Sequence, residues 1–242
     1  GGSAEIILDR HRLEGLNFPV GIKGKISLET FQNTLASGKS TTQLRLDLRW
    51  YKKLHTKILW ATRVFGSSSF GPSSVNYSLG GTENWLASKR AENITIDPNY
   101  AYSFNALANG VRGFPTHIRS GGNVLFINTE IRIPLSSYFG PAPVNIGFFR
   151  TLQWIAFFDA GSAWNGVNPF SNQHYNTRVI DQGAILIIAK NVNNPFVSGF
   201  GSGLRCRLFG YYVRGDMAWG MENGVLNNEG KPSYYFSIGF DF

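Results

Sequence analysis

The last ten residues of the chain, 233–242, alternate between apolar and polar side chains at every step. The apolar parity consists of Tyr234, Phe236, Ile238, Phe240 and Phe242. A period of two residues predicts a β-strand with one apolar and one polar face. The length also matters, because a tilted strand of about 9–11 residues spans a lipid bilayer. The segment therefore predicts either a membrane-spanning strand or the last strand of a soluble β-sandwich.

The same alternation recurs along most of the chain and predicts an all-β fold of about ten strands without a helix. The predicted strands cover residues 3–10, 21–31, 42–51, 57–66, 74–80, 123–135, 152–164, 197–209, 211–220 and 233–242. In a soluble sandwich the apolar faces would form the core. In an antiparallel transmembrane β-barrel they would face lipid, and the charged faces would line the lumen. Strand patterns alone do not separate these two folds.

Composition favours the barrel and excludes several other classes. No apolar run approaches the ~20 residues that a transmembrane helix needs, which excludes a helical membrane protein. The 28 glycines and 14% aromatic residues suit barrels, which place glycine at bends and aromatic girdles at both interfaces. The net charge of +8 is spread over alternate strand positions, so we expect no nucleic-acid partner. The lone Cys206 excludes an internal disulfide and gives no metal cluster.

The lengths of the connections predict an orientation in the membrane. If the C-terminus is periplasmic, the long connections 81–122, 165–196 and 221–232 fall outside. Short connections at 67–73 and 209–211 then fall inside, which is the pattern of outer-membrane barrels. Two connections depart from this pattern, a long inside one at 136–150 and a short outside one at 52–56.

A terminal aromatic at the end of an alternating strand resembles the C-terminal assembly signal of bacterial outer-membrane barrels. Its residues are Phe236, Ile238, Phe240 and Phe242. We therefore predict that the chain is located in the bacterial outer membrane, with the lipid bilayer as a partner.

The longest connection, residues 81–122, has no apolar periodicity of its own, and such loops are usually functional or disordered. It contains the motif Val111-Arg112-Gly113-Phe114. After a predicted strand that ends Leu-Gly-Gly, this motif resembles the characteristic loop motif of the BamA-type outer-membrane assembly and secretion superfamily. Residues 128–134, Asn-Thr-Glu-Ile-Arg-Ile-Pro, and residues 157–161, Phe-Phe-Asp-Ala-Gly, resemble the strands that follow this loop in the family.

The resemblance covers residues 4–242 and implies a fold and its missing parts. Residues 1–242 would form the C-terminal portion of a 16-stranded barrel, contributing about nine or ten strands. The loop 81–122 would be extracellular and fold into the lumen. Because the chain begins Gly-Gly-Ser without a signal peptide, we expect a piece of a longer precursor. The missing N-terminal strands would come from the same polypeptide or a partner, and periplasmic domains or other outer-membrane proteins would be further partners.

In this family the loop arginine meets acids on the inner wall of the barrel. We expect Arg112 to contact Asp159, Glu130 or both, because these acids lie on inward parities of neighbouring predicted strands. A planar guanidinium can bind a carboxylate bidentately. Gly113 would let the loop backbone pass close to the wall. The alternating glycines at 199, 201 and 203 leave the wall bare for such an approach.

The resemblance implies a Gram-negative outer-membrane protein or surface antigen that acts in protein insertion or translocation, without a cofactor, a metal or an enzymatic activity. The alternatives are a barrel anchor or channel whose function is carried by missing soluble domains, and a small outer-membrane porin or protease barrel. A protease needs acidic and histidine groups within hydrogen-bond reach. The sequence does not establish this for its candidates, His55, His117, His174, Asp97 and Asp181. We expect these histidines to be surface residues and Cys206 to face lipid.

Overall fold

The computed structural model describes residues 1–14, 18–32, 40–91, 101–135, 147–170, 175–181, 186–192 and 194–239. In these ranges about three quarters of the residues lie in β-strands, and the one α-helix is a single short turn. The elements are β1 (Gly2–Glu14), β2 (Phe18–Gln32), β3 (Ser40–His55), β4 (Ile58–Phe70), β5 (Ser74–Leu79), β6 (Gly81–Thr82), β7 (Tyr102–Ala108), β8 (Gly110–Val111), β9 (Arg119–Gly121), β10 (Asn123–Pro134), α1 (Gly147–Thr151), β11 (Gln153–Trp164), β12 (Tyr175–Asp181), β13 (Leu186–Val192), β14 (Phe196–Leu208), β15 (Tyr211–Glu222), β16 (Val225–Leu226) and β17 (Ser233–Gly239).

Ten strands form one antiparallel sheet, which we call the wall. Its order is β1-β2-β3-β4-β10-β11-β14-β15, with β16 and β17 both paired to β15. The predicted all-β class is therefore confirmed, and nine of the predicted strands correspond to wall strands with shifted ends. The tenth, residues 74–80, was wrong as a wall strand, because β5 belongs to a separate sheet. Its alternation indicated a strand correctly, but alternation does not say which sheet a strand joins.

Because residues 74–80 are not a wall strand, several connections leave the wall at a different end from the one predicted. Since neighbouring wall strands are antiparallel, the connections at 15–17, 56–57, 135–152 and 209–210 leave the wall at one end, which we call the short-loop end. The connections at 33–39, 71–122, 165–195 and 223–232 leave at the other, the long-loop end. The predicted short inside connection at 67–73 was wrong, because β4 continues to Phe70 and then enters the long connection. The predicted short outside connection at 52–56 was also wrong, since the turn after β3 lies at the short-loop end.

The wall is an open sheet in the part of the chain that the structure describes. There β1 is paired with β2, β17 is paired with β15, and no pairing joins β1 to β17. Membership of the wall in a closed transmembrane barrel of 16 strands stays a prediction.

The two faces of the wall differ in the opposite sense to a soluble protein, in which apolar side chains are buried and charges exposed. On β10, Leu125 and Ile127 are 41% and 40% exposed, whereas Glu130 and Arg132 are 0% and 1% exposed. Other exposed apolar side chains on wall strands are Ile22, Ile26, Leu28, Leu44, Leu48, Trp50, Phe158, Phe200, Leu204, Phe236 and Ile238. The wall thus has an apolar outer face, and its buried inner face carries the charged side chains together with apolar ones such as Phe126 and Ile155.

The inner face is covered by the described residues of the connection 71–122, namely 71–91 and 101–122, which carry small strands of their own. β5 runs parallel to β7 and antiparallel to β9, and β6 pairs with β8. The connection is fixed to the wall at Tyr77, whose hydroxyl accepts hydrogen bonds from Gln43 of β3 at 2.5 Å and Ser67 of β4 at 2.7 Å. A buried apolar cluster joins it to β10, β11 and β14 through Val75, Tyr77, Leu79, Val111, Phe114, Val124, Phe126, Ala163 and Val197. We call this folded connection the plug.

No helix among the described residues is long and apolar enough to cross a membrane.

The prediction for Cys206 was wrong, since its side chain is 5% exposed and does not lie open on the outer face. The helix α1 packs against β14 in this region. Its last residue, Thr151, accepts a hydrogen bond from the backbone N–H of Arg207 at 2.9 Å. A connection that returns over the end of a strand is not visible in that strand's alternation.

Candidate functional site

The site is built around the turn that follows β8 in the plug. β8 pairs with β6, which fixes the direction in which residues 112 and 113 leave the small sheet. Gly113 has φ +95°, a left-handed conformation that strains any residue with a Cβ. This turn directs Arg112 at the inner face of the wall, where its side chain is buried.

Arg112 binds Asp159 of β11 in a bidentate ion pair. Its Nε lies 2.6 Å from Oδ2 of Asp159, and its Nη2 lies 2.8 Å from Oδ1. The backbone N–H of Arg112 also donates to Oδ2 at 3.2 Å. Both residues are buried, Asp159 completely. Charge-assisted bidentate pairs are among the strongest hydrogen-bonded contacts in proteins. The predicted contact with Asp159 is therefore present.

The guanidinium also reaches acids on two further wall strands. Its Nη1 lies 3.0 Å from Oε1 of Glu130 on β10 and 3.2 Å from Oδ2 of Asp216 on β15. On a flat sheet the backbones of β10 and β15 would lie about 14 Å apart, three strand spacings. One nitrogen within hydrogen-bond range of both acids therefore requires the inner face to be concave at this point.

The three acids differ in how many other cations they meet. Glu130 also pairs with Arg132 and Arg214, and Asp216 pairs with Arg214 at 2.6 Å. Asp159 has Arg112 as its one cationic partner among the described residues. Removal of Arg112 would therefore leave Asp159, and not the other two acids, as a buried unpaired charge.

Arg112 remains positively charged in this environment. Burial alone would lower its pKa, but the carboxylates of Asp159, Glu130 and Asp216 outweigh burial and raise the pKa above the ordinary value of a guanidinium. The guanidinium carbon also lies 3.4 Å from the centre of the Phe157 ring, a cation–π contact. The arginine is thus held from its edge by acids and from its face by an aromatic ring.

Glycines on β14 and β15 make room for the turn. A Cβ on Gly199 would overlap the carbonyl oxygen of Arg112. A Cβ on Gly220 would lie 2.5 Å from the carbonyl oxygen of Gly113. Real Cβ atoms do not approach other atoms this closely, so both wall positions require glycine for this contact. Of the three alternating glycines expected to leave the wall bare for the loop, Gly199 is confirmed. A Cβ on Gly201 or Gly203 would first meet atoms of the wall itself, on β11 and β15.

Tyr235 of β17 fixes the other side of the turn. Its hydroxyl accepts a hydrogen bond from the N–H of Gly113 at 2.8 Å and donates one to the carbonyl of Phe114 at 2.9 Å. Tyr235 and Phe114 are both buried, with exposed fractions of 3% and 0%. One hydroxyl thus satisfies two backbone groups of the plug that would otherwise be buried without partners.

We expect Tyr235→Phe to loosen the plug without removing a wall strand. The substitution keeps the ring but leaves the Gly113 N–H and the Phe114 carbonyl unsatisfied, which costs about 1–3 kcal/mol for each buried group. The rate of limited proteolysis within residues 81–91 should therefore rise. Tyr234→Phe is the matched control, because Tyr234 is the exposed neighbour on the outer face. Equal proteolysis rates in the two variants would contradict this role of Tyr235.

The structure places the other predicted site residues as follows. Val111 and Phe114 are fully buried in the apolar cluster between plug and wall. Phe236 and Ile238 lie on the outer face, 50% and 40% exposed. Phe240 and Phe242 lie outside the described residues.

Sequence reasoning missed three residues of the site, Asp216, Arg214 and Tyr235. All three are on the polar parity of their strands, so the alternation already indicated that they face inward. It gave no signal that β15 and β17 approach the turn, because that depends on the curvature of the wall.

The structure describes the side chains of two protease candidates, His55 in β3 and His117 in the plug. His55 is exposed at the end of β3 as predicted. His117 is 1% exposed, and its Nδ1 lies 2.8 Å from Oγ of Ser78, so the prediction of a surface residue was wrong there. The plug folds this segment against β5 and buries it. His174 and Asp97 lie outside the described residues. Within the described ranges, no group of three or more His, Cys, Asp or Glu side chains is arranged to hold a metal ion.

Comparison of the sequence with protein-family models and with curated proteins finds no match. The wall, the plug and the arginine cluster are therefore the features that bear on the function of the chain.

Proposed function

We propose that residues 1–242 form the C-terminal portion of an outer-membrane β-barrel of the BamA-type superfamily, which inserts or translocates proteins at the bacterial outer membrane. The observation that carries the proposal is the binding of a loop arginine, Arg112, to acids on three strands of a concave sheet. The motif Val-Arg-Gly-Phe and its acidic partners are the features by which the sequence resembles that superfamily.

The two faces of the wall support a membrane environment. An exposed apolar surface that extends over many strands is unfavourable in water and marks a contact with lipid or protein. A polar inner face with paired charges suits the lumen of a membrane barrel, in which apolar-out and polar-in residues alternate. Eight of the ten wall strands have 12–16 residues, which is long enough for a tilted strand to span a bilayer.

The plug argues against a function as an open pore through which solutes diffuse freely. It covers the inner face of the wall and is bound there by ion pairs, hydrogen bonds and apolar packing. A barrel that handles polypeptides must allow its wall or plug to rearrange while the membrane stays sealed. An ion-pair cluster that ties a loop to several strands at once would couple the position of the plug to the curvature of the wall.

Reconstitution of the full-length protein tests the proposal. Proteoliposomes that contain it should speed the insertion of an unfolded outer-membrane protein relative to empty liposomes, and Arg112→Ala should reduce this effect. The readout is the protease-protected, heat-modifiable fraction of the client over time. Equal insertion into empty and loaded liposomes would contradict an insertase.

A passive channel or anchor is the alternative function. Single-channel conductance in a planar bilayer distinguishes a channel, because a plugged barrel should conduct little while an open pore conducts steadily. High steady conductance without client insertion would favour the channel.

We predict that Phe242→Ala impairs membrane assembly. Phe242 belongs to the apolar parity of residues 233–242, which would face lipid in the proposed barrel. The amount of heat-modifiable protein in the outer-membrane fraction should fall, whereas Asp241→Ala, on the opposite parity, should have a smaller effect. Wild-type amounts for Phe242→Ala would count against a C-terminal assembly signal.

A further inference from the structure

The plug occupies part of the edge of β17 that does not pair with β15. Trp85 forms an isolated antiparallel bridge with Ser237, and the backbone N–H of Leu86 donates to the carbonyl of Phe236 at 3.0 Å. The Trp85 ring packs on the inner face against Tyr235, with ring centres 4.6 Å apart. The plug thus uses backbone groups in the middle of a strand whose other edge pairs with β15. We call residues 83–86 the edge segment.

The edge segment is held at its other end by the opposite part of the wall. Glu83 accepts a hydrogen bond at 2.7 Å from Arg63 of β4, and Arg63 also pairs with Asp47 of β3. In the order of the wall, β4 and β17 are separated by β10, β11, β14 and β15. Four consecutive residues therefore connect strands that are far apart in the sheet, across its concave side.

The edge segment is partly exposed, and its contact with β17 is small. Arg63 is buried, but Glu83 and Leu86 are exposed, Leu86 to 62%. The contact with β17 comprises one isolated bridge, one backbone hydrogen bond and one ring contact, whereas β15 pairs with β17 over seven residues. A contact of this size can be displaced by a longer strand, which would form more backbone hydrogen bonds with the same edge.

From this arrangement we infer that the edge segment is an autoinhibitory contact, which competes with the closing strand of the barrel for the free edge of β17. With the segment bound, the middle of the edge is occupied and the barrel is open beside β17. With the segment released, β17 can pair along its whole length. The inference rests on the proposed barrel, but it does not depend on the insertion of client proteins.

In both states the backbone groups in the middle of the β17 edge have hydrogen-bond partners. Unpaired backbone groups at membrane depth are costly, which is why membrane sheets close or cover their edges. The edge segment covers part of the edge in the open state, and the closing strand covers it in the closed state. The exchange therefore replaces one set of hydrogen bonds with another and leaves the middle of the edge covered in both states.

A disulfide between the edge segment and β17 tests the inference in the full-length protein in native membranes. In a Cys206→Ala background, Trp85→Cys with Ser237→Cys places two cysteines at an antiparallel pair flanked by a backbone hydrogen bond. The Cα atoms of such a pair lie about 4.5 Å apart, within the range of a disulfide. The matched control is Met217→Cys with Tyr234→Cys, a pair between β15 and β17 that is retained in both states.

We expect the oxidised Trp85–Ser237 pair to lose the SDS-resistant, heat-modifiable form and to regain it on reduction, because the locked barrel cannot close at β17. The control pair should keep that form under both conditions. Failure of the Trp85–Ser237 disulfide to form, or an SDS-resistant form that survives oxidation, would overturn the inference. A protein that shows the redox-dependent loss but inserts no client would instead refute the insertase and leave this inference standing.

Discussion

Replacing Arg112 with alanine should lower the free energy of unfolding by about 3–5 kcal/mol, the usual cost of removing one partner of a buried ion pair. The loss arises mainly at Asp159, which is fully buried and has no other cationic partner in the described part of the chain. The measurement is the urea dependence of tryptophan fluorescence for the protein folded into lipid vesicles. The wall strands should still form, since their backbone pairing does not involve this side chain.

A second substitution identifies which acid is responsible. Arg112→Ala with Asp159→Asn should be more stable than Arg112→Ala alone, because the asparagine amide is neutral and leaves no buried unpaired charge. Arg112→Ala with Glu130→Gln should show no such rescue, since Glu130 keeps Arg132 and Arg214 in the absence of Arg112. Non-additive effects of this kind report direct coupling between the residues. Equal rescue by both acid substitutions would contradict the claim that Asp159 depends on Arg112 while Glu130 has other cationic partners.

Gly199→Ala should displace the turn of the plug from the wall. A Cβ at this position overlaps the carbonyl oxygen of Arg112, so either the turn or β14 has to shift. Overpacking of a well-packed contact costs about 1–3 kcal/mol. The shift should also lengthen the contact between Arg112 and Asp159, so proteolysis of the plug should accelerate and the activity in the insertion assay should fall.

Gly215→Ala is the matched control for Gly199→Ala. Gly215 lies on the neighbouring strand β15, and a Cβ there meets no atom within 4 Å. The same chemical change on an adjacent strand should therefore leave the plug and the stability nearly unchanged. If Gly199→Ala behaves like Gly215→Ala, the turn does not pack on β14 as described.

Much of the site followed from local patterns in the sequence. The parity of β10 and β11 placed Glu130 and Asp159 on the same face. The resemblance of the motif to a known family, and not the local pattern, implied Arg112 as their partner. Gly113 and Gly199 could be assigned to a close approach because only glycine permits it. The placement of the acids and the glycines needs only a strand's alternation and a residue's size, and both are properties of the local sequence.

The predictions that were wrong, and the site residues that were missed, depend on contacts between segments distant in the sequence. β5 alternates like a wall strand, but the chain turns inward at Gly71 and pairs it with β7 and β9. Asp216 and Tyr235 reach the turn only because the inner face is concave. His117 is buried by the folding of the plug against β5. Neither curvature nor the path of a long connection is written in the period of a single strand.

The orientation of the wall relative to lipid is tested most directly by a scan of β3, which lies away from the arginine cluster. Single cysteines at each position from Thr42 to Trp50, in a Cys206→Ala background, carry a nitroxide label in the full-length protein in lipid vesicles. We expect access to oxygen dissolved in the lipid to alternate with a period of two and to be greatest at Leu44, Leu46, Leu48 and Trp50. Greatest lipid access at Gln43, Arg45, Asp47 and Arg49, or no lipid access at any position, would contradict it.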